Sequence, residues 1–430
     1  MNHKRLQSGA IGPWGLAALV IGVTSPAIGL FATWGPIETE AGPIAPLIFL
    51  AALLLILPTV LSNASLNQDA PSAAAGSAWL WRTAGPFAGL LGGAVTVSYF
   101  VMAATTVPIL FGLFFSDLMG RLGVSLSPSA AVVAGLLIHS LVVGWISLRG
   151  VRSSIRTTLT LMVLETVVVL ALSFTIIFVK AHVAGGLTLA PLSAASATHG
   201  LPGFWNAVLL GILAFSGFDV VAATAEEAAA PKRHIPMILT TAVIGIGLFW
   251  AANAWVLTLS ASPADVDAYS ASGLTAITQV ARSYWGRGDL VVIATAFTGL
   301  TAIYLSCVQG ASRVIFALAR HGVLPERLGR TSGVTATPRA AVLSVLVLCA
   351  VFGLVGIALL GNGLDCFVWW SDAMVFFAAL TFAGVNFANL LYYRRVQPDR
   401  FHFLRNLLVP ATGIDRMCIR RGTQSSLPTV

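Results

Sequence analysis

Glu165, Asp219 and Asp372 each stand inside a long apolar stretch of the chain. An ionised carboxylate in hydrocarbon is costly, so such a group turns toward a protein interior or a water path, where it holds a cation, an amine or a proton. Asp219 is the first choice for a coupling proton or a substrate amine, because it directly follows Phe215-Ser216-Gly217-Phe218, where a glycine interrupts an apolar helical pattern. Glu165 comes second; a structural carboxylate bonded to Thr160 or Thr166 is the plain alternative. Asp372 lies beside Trp369 and Trp370 near a stretch end and reads as a solvated, interfacial group.

A second interruption reads Thr24-Ser25-Pro26-Ala27-Ile28-Gly29. Pro26 has no amide hydrogen and Gly29 tolerates any dihedral, so a helix breaks here and frees backbone groups. Hydroxyls and amides of Thr24, Ser25, Ala27 and Ile28 would meet a small carboxylate, assisted by the positive end of the next half-helix. Carbonyls around Phe215, Ser216 and Gly217 would face an ammonium group, with Phe215 or Phe218 either closing over the ligand or packing in the core. Glu226, Glu227, Lys232 and Arg233 form a charged connection, read as part of a gate or as a solvated loop. His139 is expected as a hydrogen-bonded interior histidine, and Asn253, Asn386 and Asn389 as bonds between helices. No metal spacing, nucleophile elbow or phosphate loop occurs, so no cofactor is expected, and the four cysteines read as reduced packing residues.

The elements that must position these groups follow from composition. Of 430 residues, 57% are hydrophobic and 9% charged, and mean hydropathy is +0.88. A soluble domain carries about a quarter of its residues charged, so soluble enzymes, nucleic-acid binders and disordered scaffolds are poor fits. The net charge of +8 comes from basic residues dispersed between apolar segments rather than from one patch. A helix needs about 20 apolar residues to cross a bilayer. Ten stretches qualify, near 11–33, 44–62, 86–115, 130–148, 157–180, 203–224, 236–260, 289–318, 339–360 and 366–393. Strand alternation is absent, which leaves an all-α membrane bundle. The stretch from Ala10 to Leu30 is too long for a signal-peptide core and stays as the first span. With the amino terminus cytoplasmic, all of the 24 lysines and arginines except Arg121, Lys180, Arg282 and Arg287 fall inside, as the positive-inside rule requires.

The two interruptions fall in the first and sixth spans, five apart. In carriers built from two inverted five-helix repeats, the first helix of each repeat is the discontinuous one and binds substrate near mid-membrane. The spacing therefore predicts repeats over about 11–180 and 203–393 within one transmembrane domain, 1–393, followed by a basic tail, 394–430.

Three runs carry a family resemblance. Ala214-Phe215-Ser216-Gly217-Phe218-Asp219, then Ala225-Glu226-Glu227 and Pro231-Lys232-Arg233-His234-Ile235-Pro236, resembles the sixth-helix signature of the amino acid-polyamine-organocation permease superfamily. Gly310-Ala311-Ser312-Arg313 through Ala319-Arg320-His321-Gly322-Val323-Leu324-Pro325, then Thr337-Pro338, resembles that family's eighth helix and its connection to the ninth. Pro71-Ser72-Ala73 with Gly76-Ser77-Ala78-Trp79 resembles the stretch between helices two and three. The likeness covers about residues 11 to 405. It departs in helix one, where Thr-Ser-Pro-Ala replaces a Gly-Ser-Gly type loop, and at Asn63-Ala64-Ser65-Leu66, which lacks a carboxylate many members carry. Members usually have twelve helices, and the basic run Ile414-Asp415-Arg416-Met417-Cys418-Ile419-Arg420-Arg421 is read as an altered or truncated frame.

The resemblance implies a LeuT-like five-plus-five fold and a secondary carrier of the cytoplasmic membrane that moves amino acids or related small amines by alternating access. It implies a helix-five ionisable group beside helix one, the place of Glu165. Its partners would be a small-molecule substrate and the lipid bilayer, not nucleic acid, with the oligomeric state left open. Proton symport is the expected coupling. A sodium site of hydroxyls and carbonyls from helices one and eight, exchange of organic amines, and a nontransporting sensor or remnant are the alternatives, with a membrane-embedded enzyme as the competing class.

Overall fold

Pro13 opens the first helix at a position whose amide would lack a partner in any case, and α1 (Pro13–Thr24) runs from there to the interruption. The computed structural model describes residues 6–124, 126–261, 276–331 and 336–401; Lys4, Arg5 and the basic tail beyond Phe401 lie outside them. At Ser25 the backbone turns to φ 49°, ψ 117°, and Pro26 cannot donate, so the helix stops. It resumes as α2 (Ile28–Phe31) and α3 (Trp34–Ala41).

Next come α4 (Ala45–Asp69), a short α5 (Gly76–Ala84), α6 (Pro86–Arg121), α7 (Pro128–Leu148) and α8 (Val151–Ala181). The second half holds α9 (Gly200–Phe215), α10 (Pro231–Ser260), α11 (Ala276–Trp285), α12 (Asp289–Arg320), α13 (Arg339–Leu360) and α14 (Gly363–Leu391). After α9 the chain passes through Gly217, at φ 101°, into a 3-10 turn over Phe218–Thr224. Among the described residues ten helices are long and apolar enough to cross a membrane, and both interruptions lie where the sequence places them.

Several boundaries move outward. The second span runs on to Asp69 because its polar end is buried within the protein: Asn63, Ser65 and Asn67 are inside, and the Asn67 amide donates to the Asn63 side chain at 2.8 Å. The fifth begins at Val151, ahead of the expected 157, since Arg152 and Arg156 prolong the helix beyond its apolar stretch. Neither α5 nor α11 is anticipated by the sequence reading, both being too short to register as spans.

Packing repeats with an offset of five. The first span lies on the seventh as the sixth lies on the second, and the third lies on the tenth as the eighth lies on the fifth; the second also packs on the seventh and the third on the eighth. Adding five to both members of each of these pairs, counted around ten spans, returns one of these pairs, which is what two inverted repeats produce. The bundle's outer face is apolar, with Leu141, Phe174, Phe178 and Leu359 each more than 60% exposed toward what would be lipid.

Candidate functional site: the two helix breaks and their cavity

Glu165, on α8, reaches the break in the first span. Its Oε2 accepts from the Ser25 hydroxyl in a very short hydrogen bond and from the Ala27 amide at 3.3 Å. The Ser25 Oγ in turn accepts from the Ile28 amide at 3.0 Å. The carboxylate thus caps the start of α2, the site favoured for negative charge at a helix beginning. Its other oxygen, Oε1, is buried without a hydrogen-bond partner among the described residues. Thr160 and Thr166 donate to backbone carbonyls of their own helix instead, so the hydroxyl that Glu165 meets is that of Ser25. Close approach is possible because Gly299 has no side chain: a Cβ there would stand 3.0 Å from Glu165 Oε2 and 2.8 Å from Ser25 Oγ.

Trp250 locks the break from the other side. Its indole donates to the Pro26 carbonyl at 3.2 Å, and its ring occupies the space a side chain at Gly29 would need, 2.1 Å from an added Cβ. In the sixth span Gly217 adopts a left-handed conformation, and a Cβ there would lie 2.5 Å from Val23 Cγ2. Glycine serves both demands, positive φ and contact between the two breaks.

A cavity of about 400 Å³ opens between the breaks. Thr24, Ile28, Ser216 and Gly217 line it, whereas Ser25 and Ala27 are engaged with Glu165, outside the lining. Phe215 and Phe218 are buried and pack: Phe215 sits edge-on against Trp250 at 4.9 Å and Phe218 stacks on Phe382 at 5.3 Å. Asp219 is also buried away from the cavity, facing the Tyr99 hydroxyl, with Oδ1 unpartnered among the described residues. The remaining wall is chiefly aliphatic. Asp372 alone among the lining residues is charged, and it is exposed. Its place on the same face of α14 as Leu364, Phe367, Val368 and Ser371 was not separable from interfacial solvation by sequence alone.

Apart from Val23 and Thr24 at the break itself, the first-span lining residues, Ile28 to Pro36, follow the break, on the side away from the amino terminus. The amino-terminal side is closed. Ile11 and Glu227–Ala229 pair through two backbone hydrogen bonds of 3.0 and 2.8 Å. Beneath them Arg313 and Glu227, both buried, form an ion pair at 2.8 Å, and Arg320 grips Glu226 with two nitrogens at 2.9 and 2.7 Å. Of the four charged residues the sequence singles out here, the two glutamates form these clamps, and their arginine partners, visible in the sequence only as span-eight cations, were not assigned to them. His139 stacks on Phe111 at 4.1 Å in the interior, and Asn253, Asn386 and Asn389 bond across helices to Ser173, Thr59 and Ser62.

Residues 11–414 match the amino acid permease family. The chain belongs to that family. It is 23% identical over 347 residues to the branched-chain amino acid permease BcaP of Bacillus subtilis, covering 77% of this chain and 71% of the relative. Against BcaP of Lactococcus lactis the identity is 25% over 300 residues, covering 67% and 64%. Among solved structures, MhsT in complex with L-phenylalanine superposes with a TM-score of 0.64 at 16% identity, over 95% of this chain and 98% of that one. A Na+-coupled sialic acid symporter gives 0.59 at 13% identity, over 94% and 88%. The permease is thus a multi-pass membrane transporter of LeuT-like fold and not an enzyme. In this permease the broken helices meet at the cavity, with a carboxylate from the fifth span holding the break of the first.

Proposed function

We propose that this permease carries amino acids with apolar side chains across the cytoplasmic membrane, amino terminus inside, by alternating access coupled to a proton on Glu165. The carrying observation is the Glu165 carboxylate seated on the break of the first span, joined to both its hydroxyl and its amide. Ionised, that group accepts from Ser25 and Ala27 together; protonated, it becomes a donor on one oxygen and loosens its hold on the break. A proton on Glu165 therefore changes how firmly α1 is tied to α8. Asp219 points toward Tyr99, away from the cavity, and on this geometry positions the sixth-span break rather than carrying the coupled proton.

The cavity's aliphatic wall suits an apolar side chain, while Thr24, Ile28, Ser216 and Gly217 surround the substrate's polar ends and Asp372 attracts its ammonium group at the mouth. The names of the branched-chain permeases and the phenylalanine complex of MhsT support the same substrate class. Closure on the amino-terminal side and a cavity on the opposite side fit an outward-facing state, with the distribution of cations supporting the orientation.

The test is uptake of a radiolabelled amino acid panel into proteoliposomes with an imposed proton gradient, a sodium gradient or neither. Saturable uptake of leucine, valine or phenylalanine driven by protons in wild type and lost in Glu165→Gln is expected. Uptake driven by sodium alone, or full proton dependence in Glu165→Gln, would overturn the coupling assignment.

A further inference from the structure

A second cavity, of about 280 Å³, lies on the amino-terminal side of the bundle between α5, the start of α6 and the end of α12. It shares no lining residue with the central cavity. Arg82 and His321 line it together with the hydroxyl residues Ser72 and Ser77, and no carboxylate is among its lining residues. Arg82 makes no hydrogen bond or ion pair among the described residues and is exposed. His321 donates from Nδ1 to the Ala317 carbonyl at 2.7 Å, so its Nε2 offers a hydrogen to an anion only in the imidazolium form. A second cation stands close by, since Arg395 donates to the Thr83 carbonyl at the end of α5 at 3.2 Å.

The other wall is apolar and continuous with the lipid-facing surface. Trp81 and Leu90 line the cavity at 48% and 44% exposure, and Phe87, one turn earlier on α6, is 78% exposed. A short helix with an indole and a guanidinium side by side, Trp81 and Arg82, suits the headgroup layer, where aromatic rings sit at the interface and cations meet phosphates. Charge of one sign beside a hydrocarbon-contacting wall selects a ligand that is anionic at one end and apolar at the other.

We propose that this cavity binds an anionic phospholipid, its phosphodiester held by Arg82 and, in the imidazolium form, by His321, with an acyl chain laid along Trp81 and Leu90. Basic pockets between spans on the cytoplasmic side bind such headgroups, each cation near the surface strengthening binding about fivefold. The site is independent of the substrate and coupling assignments, because none of its residues touches the central cavity.

Native mass spectrometry of the full chain, released from nanodiscs of equal phosphatidylglycerol and phosphatidylcholine, tests it. Wild type is expected to retain phosphatidylglycerol preferentially, Arg82→Gln with His321→Gln to lose that preference, and Arg82→Lys to keep most of it. Leu90→Trp, which narrows the cavity without altering charge, is expected to lower retention and serves as the second variant if the double substitution fails to fold. Equal phosphatidylglycerol retention by wild type and both folded variants would overturn the proposal. So would thermal protection of wild type in detergent by glycerol 3-phosphate as strong as that by the lipid, which would assign the pocket to a soluble phosphate ester.

Discussion

Glu38, on α3 just beyond the first span, accepts from the Thr258 hydroxyl at 2.5 Å and the Ala45 amide at 3.4 Å, while Oε2 is buried without a partner among the described residues. Burial is the main cause that pushes its pKa from 4.5 to about 8, against those hydrogen bonds. The folded protein therefore keeps a proton that the unfolded chain releases, so stability falls as pH rises from about 4.5 to about 8 and changes little from this group outside that window. Glu38→Gln is expected to flatten the dependence of Tm on pH across that window and to raise Tm at its upper end; an unchanged pH profile would remove Glu38 as its source. Asp372 acts at the same scale. Asp372→Asn is expected to raise KM for uptake about five- to tenfold at nearly constant maximal rate, as loss of an attracting charge at a cavity mouth does. The chemistry of both carboxylates was only partly legible. Asp372 declared itself by its charge in an apolar stretch, but which way α14 turns it depends on partners distant in sequence. Glu38 gave no sequence signal, since its environment is assembled from Thr258, far along the chain.

The helix breaks were the most legible elements, because proline and glycine act on the backbone locally and need no tertiary context. What the breaks touch was not. Glu165 pairs with Ser25 across 140 positions, and Trp250 with Pro26 across 224, contacts that no local pattern encodes. The aromatic side chains of Phe215 and Phe218 read equally well as a lid or as packing, and their ring contacts with Trp250 and Phe382 come from residues distant in sequence. Two predictions belong to elements. Gly217→Ala is expected to destabilise the sixth-span break by about 1–3 kcal/mol, through positive φ and the contact with Val23, measured by thermal unfolding. On the closed side, Arg313→Gln leaves Glu227 buried and unpaired and is expected to cost about 3–5 kcal/mol. Arg330→Gln removes an exposed pair with Glu326 at 59% and 61% exposure, worth under about 1 kcal/mol, and is the control. Equal effects of the two would mean that the Glu227 clamp does not hold this side shut.

At the scale of the molecule, composition and span length specified a membrane bundle, and the five-span offset of the breaks specified its symmetry before any contact was known. Span limits were less well marked where polar residues such as Asn63 and Asn67 are buried by neighbouring helices, since hydropathy measures preference for lipid and not for a protein interior. Under the proposed coupling, the central cavity, the closed amino-terminal side and the Glu165 contact with the first-span break would let substrate and proton share a conformational change. The most direct measurement is proton flux driven by substrate. Wild type and Glu165→Gln are reconstituted into liposomes holding a pH-sensitive dye, and leucine is added outside with no imposed gradient and no sodium. Acidification of the lumen by wild type, absent in Glu165→Gln although that variant still exchanges labelled for unlabelled leucine, is the predicted result. Equal acidification by both proteins, or leucine entering wild type without any acidification, would contradict a coupling proton on Glu165.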